Sequence, residues 1–499
     1  KKEERKEWQL EQNNINLHLV RTLTHTHTHT PFNNAIKIQN YLIIIIANFM
    51  SNTISIRKGL NIRLVGEATK EIKEVPVSGT VGISPLDFHG LTPKMVVKEG
   101  DAVLVGDVLF FDKKKEKIKF VSPVSGKVKE IVRGEKRRIT NVLIDTDGKQ
   151  EAKKFTVKNV NDYSAEEVKN LLLESGFWSS MKQRPLDVIA DPENKAKGLF
   201  VSSFDSAPLA PDYEFILSTE MDALQKGFDA LSILMEGKVH LSSKPNSNFT
   251  EIKGVTHHSF DGLHPAGNIG TQIHHIDPVN KGEFVWSMNI QEVAAIGKLL
   301  GSGSVDSSRK IALTGSEVQS PTYLNVTRGT VMESLVKNSV DHENVRYISG
   351  NVLTGDRKSL TEYFGFYHNQ ISVIPEGNEY KFFLTSGWLG HGFDKFSNSR
   401  LFPTFLLPKS KKFRLDTNTN GEERAFVVSG ELERVFPFDI LPVQLTKAAI
   451  TDDIDGMENL GIYEVAPEDF ALCEYVCTTK INIQEKIRQG LDLIASECM

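Results

Sequence analysis

Hydrophobic positions follow two different patterns along the chain, and the change falls near residue 160. In residues 53–150, short valine and leucine runs are separated by Gly-Asp pairs, as in MVVKEGDAVLVGDVLFF (95–111), which is typical of strands joined by tight turns. Farther along, Ser164 and Glu167 form the capping-box pattern that begins a helix, AEEVKNLLLESG. Apolar runs of strand length then alternate with helical segments. The first region is therefore predicted to be all β and the second to be an α/β layer domain.

The predicted elements of the α/β region can be read directly from the apolar runs. The predicted strands are PLDVIA (185–190), GLFVSSF (198–204), EFILS (214–218), KVHLSS (238–243) and FVWSMNI (284–290). Two longer segments, MDALQKGFDALSILMEG and QEVAAIGKLLGSG, have the length and apolar spacing of amphipathic helices.

These patterns divide the chain into five segments. Residues 1–49 are low in complexity, and we expect them to be disordered or a mispredicted extension. Residues 50–150 form the β domain, and residues 160–305 form the α/β domain. Residues 309–360 are predicted to be a small β-rich insert. Residues 361–499 begin with an aromatic-rich stretch and continue as a helical C-terminal region.

A repeated phrase refines the prediction for the first domain. VPVSGTVGI (75–83) recurs in altered form as SPVSGKVKEI (122–131), which suggests two related half-motifs. Together with the strand pattern, the repeat favours a barrel-sandwich hybrid, the β fold of lipoyl and biotinyl carriers. In a carrier, one lysine at a hairpin tip takes the cofactor, whereas the hairpin here reads DKKKEKIK (112–119), in which no lysine stands out. A charged, solvated hairpin is favoured over covalent carriage.

Composition excludes several classes of protein. The 499-residue chain has a formal charge of −5, which argues against a nucleic-acid partner. Three cysteines are too few for a disulfide framework or a four-cysteine iron–sulfur cluster. Cys473 and Cys477 lie four residues apart on one helical face, and we expect two small core residues rather than a redox pair or half of an intersubunit metal site. The apolar run YLIIIIANF (41–49) is shorter than the roughly 20 residues of a membrane-spanning helix.

The densest polar cluster is GLHPAGNIGTQIHHIDPV (262–279). Its side chains His264, His274, His275 and Asp277 are competent metal ligands, but adjacent histidines on a strand would face opposite sides. Three interpretations stay open: a metal site, an anion or dinucleotide site, and a structural loop. The structural loop is favoured, and no metal is expected.

A second candidate site is aromatic. Phe177 and Trp178 lie beside Arg184 in GFWSSMKQRP. An aromatic pair can hold a flat quinone ring, and a nearby cation can polarise its carbonyl oxygen. These three residues are therefore quinone-contact candidates, although such clusters are also common in protein cores.

The chain contains no glycine-rich nucleotide motif, nucleophile elbow or zinc-protease motif, so no catalytic residue is predicted and we expect one part of a larger assembly. Long, idiosyncratic stretches after Met50 resemble the A subunit of the Na⁺-translocating NADH:quinone oxidoreductase. They are IRKGLNIRLVGE, VKEGDAVLVGDVLFFDKK, KFVSPVSGKVKEIVRGEKR, SGFWSSMKQRP, DGLHPAGNIGTQIHHIDPV, VWSMNIQEVAAIGKLL, RYISGNVLTG, FDKFSNSR, ERVFPFDILPVQL and EDFALCEYVC.

The resemblance implies a peripheral subunit on the cytoplasmic face of a bacterial inner membrane, bound there through partner subunits. It also implies that FAD, FMN and iron–sulfur centres belong to those partners, that ubiquinone or menaquinone is the substrate, and that no cofactor is bound covalently to this chain. The insert at 309–360 is similar to the β-grasp domain of soluble-ligand-binding type. We expect a translocase subunit that contributes to quinone interaction and assembly. A purely structural cap is the first alternative, and a lipoyl- or biotinyl-type carrier is the second.

Overall fold

The structure is a computed structural model that describes residues 53–77, 79–379, 382, 392–398 and 402–498. The extension predicted over residues 1–49 and part of the predicted aromatic-rich stretch lie outside these residues.

Strands and helices of the described residues are numbered separately along the chain. The strands are β1 (Thr53–Ile56), β2 (Thr69–Glu74), β3 (Thr80–Ile83), β4 (Pro93–Met95), β5 (Ala102–Val103), β6 (Val108–Asp112), β7 (Lys119–Val121), β8 (Gly126–Arg133), β9 (Ile139–Thr146), β10 (Lys182–Arg184), β11 (Val188–Ile189), β12 (Leu199–Ser202), β13 (Val239–Ser243), β14 (Thr256–Gly262), β15 (Val285–Asn289), β16 (Ser308–Thr314), β17 (Thr322–Thr327), β18 (Val345–Ser349), β19 (Asp356–Lys358) and β20 (Gln370–Pro375). The α-helices are α1 (Ala165–Glu174), α2 (Tyr213–Ile216), α3 (Met221–Leu234), α4 (Ile269–Ile276), α5 (Ile290–Ser302), α6 (Met332–Val336), α7 (Glu431–Val435), α8 (Pro442–Ile450), α9 (Ile454–Asn459), α10 (Ala471–Val476) and α11 (Ile483–Glu497).

Two small sheets, β3-β9-β8-β5 and β4-β6-β7, make up the first unit. The strands β3 and β8, which begin within the two copies of the repeated phrase, both pair antiparallel with β9. The copies therefore lie on either side of one shared strand. Val142 and Ile144 of β9 are fully buried in the same hydrophobic cluster as Leu109 and Phe110 of β6, so the two sheets share a core.

The second unit is built on a seven-stranded sheet of order β1-β14-β13-β12-β15-β10-β11. Five neighbouring strands of this sheet are parallel, namely β1, β14, β13, β12 and β15, whereas β10 runs antiparallel to β15. The helices α3 and α5 pack closely, because a Cβ on Gly297 of α5 would lie 1.7 Å from the carbonyl oxygen of Ala223. The predicted helices and the capping box of Ser164 and Glu167 are confirmed.

One predicted strand, EFILS (214–218), is wrong. Residues Tyr213–Ile216 form the short helix α2 instead. The Asp212 carboxylate accepts a hydrogen bond from the backbone N–H of Phe215, and this cap favours the helical turn despite the apolar run.

The third unit is a six-stranded sheet of order β19-β18-β20-β16-β17-β2. Two of its strands come from outside the predicted insert: β2 pairs parallel with β17, and β20 pairs with both β16 and β18. Likewise, β1 lies within the predicted β domain, residues 50–150, but pairs with β14 of the α/β sheet. Backbone pairing therefore joins segments that the sequence pattern separates.

The C-terminal helices α7 to α11 enclose a second large core. Cys473 and Cys477 are both buried in it, as the prediction of small helical core residues requires. Among the residues that the structure describes, no helix is both long enough and apolar enough to cross a bilayer.

Candidate functional site

A polar cavity of about 490 Å³ lies at the carboxyl ends of β12 and β15. From β12 the sheet extends through β13 and β14 on one side, whereas β15 pairs with the other side of β12. In open α/β sheets, a reversal of this kind opens a crevice beyond the strand ends, where ligands bind. Ser202 and Asn289, the last residues of the two strands, both line the cavity. We call this space the polar cavity.

Most charged side chains of the polar cavity are paired with one another. The guanidinium of Arg309 lies 3.1 Å from the carboxylate of Glu292. Asp187 receives both Lys182 Nζ and Arg488 Nη2, each at 3.2 Å. Burial opposes the ionisation of Asp187, but attraction to Lys182 and Arg488 outweighs it and lowers the pKa of this carboxyl. The cations of the cavity wall are therefore already neutralised.

Three polar groups of the cavity lack such a partner. Asn268 is 7% exposed, and its side chain makes no hydrogen bond with the described residues, although it lies at the N-cap position of α4. The Glu468 carboxyl has no hydrogen bond within the described chain, and burial, followed by the charge of Asp469, raises its pKa to about 7. Asp205 Oδ1 accepts only from backbone N–H groups, among them that of Ala207 at 2.7 Å, and burial raises its pKa.

One of the predicted histidines belongs to this cavity. His264 lines it, and its Nδ1 lies 3.0 Å from Ser206 Oγ. The Ser206 hydroxyl oxygen accepts a hydrogen bond from the backbone N–H of Gly267. Burial lowers the pKa of His264 to about 4, so the imidazole is neutral at pH 7.

The other three predicted polar residues lie elsewhere, because the sequence around them forms the helix α4 and not the predicted loop or strand. His274 Nδ1 lies 2.6 Å from Glu464 Oε1. His275 Nδ1 lies 2.8 Å from the carbonyl oxygen of Thr271. Asp277 accepts from Lys197 Nζ at 2.9 Å. Among the described residues, no three histidine, cysteine, aspartate or glutamate side chains converge as metal ligands.

A second, apolar space lies where the three units meet. It is partly open, measures about 60 Å³ and is lined by aromatic rings, namely Phe88, Phe120, Phe177, Phe364 and Phe366. We call it the aromatic cleft.

The aromatic cleft has a cation and an acid in its wall. The Arg328 guanidinium lies 4.9 Å from the centre of the Phe366 ring, and its Nε has no hydrogen-bond partner among the described residues. Asp87 also lines the cleft and accepts from the backbone N–H of Phe366 at 2.9 Å. Burial raises the pKa of Asp87 to about 6. The cleft thus combines flat apolar walls with the Arg328 cation and the titratable Asp87 carboxyl.

The three predicted quinone contacts are divided between the cleft and the core. Phe177 lines the aromatic cleft. Trp178 is fully buried against Trp286, and its indole N–H donates to the carbonyl oxygen of Ala190 at 2.8 Å. Arg184 forms a buried ion pair with Asp469, at 2.5 Å. Direct quinone contact by Trp178 and Arg184 stays a prediction, and it would require these buried side chains to open.

The glycines of the GNIG stretch pack against protein groups. A Cβ on Gly270 would lie 2.2 Å from the Asp469 carboxylate and 2.4 Å from the Arg184 guanidinium, so the glycine makes room for that ion pair. A Cβ on Gly267 would lie 2.5 Å from the backbone nitrogen of Ser206.

The lysine-rich hairpin between β6 and β7 contacts acids of the α/β unit. Lys115 pairs with Asp191 at 2.9 Å and Lys117 with Glu193 at 2.7 Å. The hairpin is charged and largely exposed, as predicted, with Lys115 and Lys117 in ion pairs, and nothing in these contacts favours the carrier hypothesis.

Family models match three parts of the chain. The NqrA N-terminal barrel-sandwich hybrid domain matches residues 54–147, the NqrA second alpha/beta domain matches 163–305, and the NQRA C-terminal domain, of SLBB type, matches 310–359. The predicted fold class is confirmed: a barrel-sandwich hybrid, an α/β domain, a small β-grasp domain and a helical C-terminal region.

Curated relatives match almost the whole described chain. The A subunit of the Na(+)-translocating NADH-quinone reductase of Haemophilus influenzae is 39% identical over 451 residues, and those of Neisseria meningitidis and Yersinia pestis are 38% and 36% identical. Each match covers 89% of this chain and 100% of the relative. A solved NAD⁺-reducing [NiFe]-hydrogenase covers 68% of this chain and 62% of its own at 10% identity, with a TM-score of 0.34, too low to establish a shared fold. By its domains and its full-length relatives, the chain belongs to the family of the A subunit of the Na⁺-translocating NADH-quinone reductase.

Proposed function

We propose that this chain is the peripheral A subunit of a respiratory complex that couples NADH oxidation by quinone to Na⁺ export, and that it contributes to quinone binding and to assembly. The observation that carries the proposal is identity of 36–39% with the A subunit of this reductase over the relatives' full length. The complex would be membrane-associated on the cytoplasmic face of a bacterial inner membrane, with this chain held there by its partner subunits. FAD, FMN and iron–sulfur centres would reside in those partners, and ubiquinone or menaquinone would be the acceptor.

Within this chain, the aromatic cleft is the best-supported place for the quinone ring. Its phenyl rings supply flat apolar surfaces, and the Arg328 guanidinium supplies a hydrogen-bond donor with an unused N–H. A cation that donates to a quinone oxygen stabilises the negative charge that develops there on reduction. The small volume admits one edge of a ring, so a partner subunit would complete the site.

The predicted contacts take different parts in this proposal. Phe177 forms part of the cleft wall, whereas Trp178 and Arg184 are buried outside the lining of the cleft. The Trp178 indole N–H donates to the carbonyl oxygen of Ala190, and the Arg184–Asp469 pair joins the α/β sheet to the C-terminal helices.

The assembled complex carrying Phe366→Leu tests the quinone proposal. An aromatic contact contributes about 0.5–1.5 kcal/mol beyond its buried area, so we expect the KM for quinone to rise about two- to tenfold. NADH oxidation with a soluble artificial acceptor should stay at the wild-type rate.

Phe215→Leu is the matched control. Phe215 is also half-buried and contacts an aromatic ring, that of Tyr323, but it lines neither the cleft nor the polar cavity. If Phe366→Leu and Phe215→Leu both leave the KM for quinone unchanged in a fully assembled complex, the structural-cap alternative is favoured.

A further inference from the structure

We infer that the polar cavity is a second ligand site, separate from the quinone site, and that it binds an uncharged nitrogen heterocycle of nucleoside size. Its position, charge balance, unpartnered polar groups and aromatic walls each restrict the ligand.

Position and size favour a small molecule. The cavity occupies the topological switch point between β12 and β15, at the carboxyl ends of both strands. Its volume of about 490 Å³ falls within the roughly 300–1,000 Å³ of small-molecule sites. A base with an attached sugar fits this space.

The charge of the lining argues against phosphate. Three cationic side chains, Lys182, Arg309 and Arg488, face four acidic ones, Asp187, Asp205, Glu292 and Glu468. Each cation is already in an ion pair with one of the acids. Ligands with phosphate groups need free positive charge, so a ligand without net charge fits this lining better.

The unpartnered groups define the hydrogen bonds that the ligand must make. The Asn268 amide, nine-tenths buried, offers a donor and an acceptor, and it leaves the first N–H groups of α4 without a side-chain cap. A ligand that bonds to this amide would satisfy both its donor and its acceptor.

The two unpaired carboxyl groups distinguish a nitrogen heterocycle from a quinone. Asp205 and Glu468 present acceptor oxygens to the cavity and have no side-chain donor among the described residues. A quinone ring carries acceptors only, so it cannot satisfy these oxygens when the carboxyls are ionised. A nucleobase with N–H donors and ring acceptors, together with the hydroxyls of a sugar, can satisfy both carboxyls and the amide.

Aromatic side chains supply surfaces on which a flat ring can stack. Tyr213 and Tyr367 line the cavity, and both are held by their hydroxyl groups. The Tyr213 oxygen accepts from Asn289 Nδ2 at 3.1 Å, and the Tyr367 hydroxyl donates to the carbonyl oxygen of Ser179 at 2.7 Å. Base–aromatic stacking contributes about 1–3 kcal/mol.

Calorimetric titration of the full-length chain with adenosine tests the inference. We expect saturable binding, at least tenfold tighter than that of adenosine 5′-monophosphate, because the phosphate would meet the acidic lining. Asn268→Ala should weaken adenosine binding at least tenfold while leaving the thermal unfolding temperature unchanged, because this side chain forms no cap bond. Asn482→Ala is the matched control: Asn482 is also an N-cap asparagine without a cap bond, but it is exposed and does not line the cavity.

A second variant, Glu468→Ala, lies on a different segment and should also weaken adenosine binding, about fivefold. Three results would overturn the inference. The first is an absence of adenosine binding up to millimolar concentration in the folded wild-type chain. The second is tighter binding of the monophosphate, which would make the cavity a phosphate site. The third is competitive displacement of adenosine by a short-chain quinone, which would assign the cavity to the acceptor substrate.

Discussion

The polar cavity and the aromatic cleft are neighbours that share one carboxylate yet are built in opposite ways. Glu292 is 1% exposed and pairs with Arg309 in the cavity wall and with Arg328 in the cleft wall. Around it, the cavity is held by ion pairs and hydrogen bonds, whereas the cleft is held by packed rings such as Phe88 and Phe120, whose centres lie 4.6 Å apart. A polar site fixes the orientation of its ligand through directed bonds, and an apolar cleft offers shape and burial.

Replacing the shared carboxylate is expected to have the largest effect, because it damages both sites together. Burial opposes ionisation of Glu292, but attraction to Arg328 and Arg309 outweighs it and lowers its pKa, so it is charged at neutral pH. Glu292→Gln leaves the buried Arg309 guanidinium and the half-buried Arg328 guanidinium without their counterion. We expect a loss of about 3–5 kcal/mol in the free energy of unfolding, measured by urea denaturation.

Glu174→Gln provides the matched control for this change. Glu174 pairs with Lys119 at an exposed site, where an ion pair contributes about 0–1 kcal/mol. Equal destabilisation by the two variants would show that the ion pairs of Glu292 with Arg309 and Arg328 do not stabilise the cavity and the cleft together.

Sequence alone predicts the strands and helices around the cavity and the cleft better than it predicts the two sites themselves. Alternating strands and helices predict the α/β sheet, and Ser164 with Glu167 predicts a helix start, because those signals are local. The sites combine distant segments: Arg328 and Phe366 reach the cleft from the β-grasp sheet region, and Glu468 reaches the cavity from the C-terminal helices. Nothing adjacent in sequence brings these groups together.

Two predicted residues and one unpredicted residue show where local patterns succeed and fail. Phe177 does line a cleft, but its neighbour Trp178 points into the core, which an aromatic pair in the sequence does not reveal. Sequence reasoning misses Asn268, although an asparagine directly before an apolar helical stretch is a usable N-cap signal. What that signal leaves out is that the side chain faces a cavity instead of capping its helix.

The second largest effect on stability is expected at Glu468, an unpaired carboxyl of the polar cavity. The pKa of Glu468 is about 7 in the folded chain against an ordinary value of 4.5. As the pH rises, Glu468 therefore ionises in the unfolded chain before it ionises in the folded chain. The stability that its protonated form contributes to the folded state is lost between pH 4.5 and 7. Glu468→Gln should match the wild type below pH 4.5 and be more stable above pH 7, by about 3 kcal/mol at most. Denaturation curves across this range measure the difference; a constant gap at every pH would assign the effect to packing.

A smaller effect of the same sign is expected at Asp87 in the aromatic cleft, where the free energy of unfolding should also fall as the pH rises. Burial raises the pKa of Asp87 from 3.8 to about 6, and the hydrogen bond from the Phe366 N–H offsets part of that shift. Stability is therefore lost as the pH rises from 3.8 to 6. Asp87→Asn keeps an oxygen acceptor for the Phe366 N–H while removing the charge. Above pH 6 we expect the variant to be more stable by about 1–2 kcal/mol, since the side chain is partly exposed.

The same variant separates the two sites functionally. Because Asp87 lines only the cleft, Asp87→Asn should change the pH dependence of the quinone KM near pH 6 and leave adenosine binding unchanged at every pH. Steady-state kinetics of the assembled complex and calorimetry of the full-length chain provide the two measurements. An equal shift in both would mean that the cavity and the cleft respond as one site, because charge at Asp87 would then reach the cavity through Arg328 and Glu292.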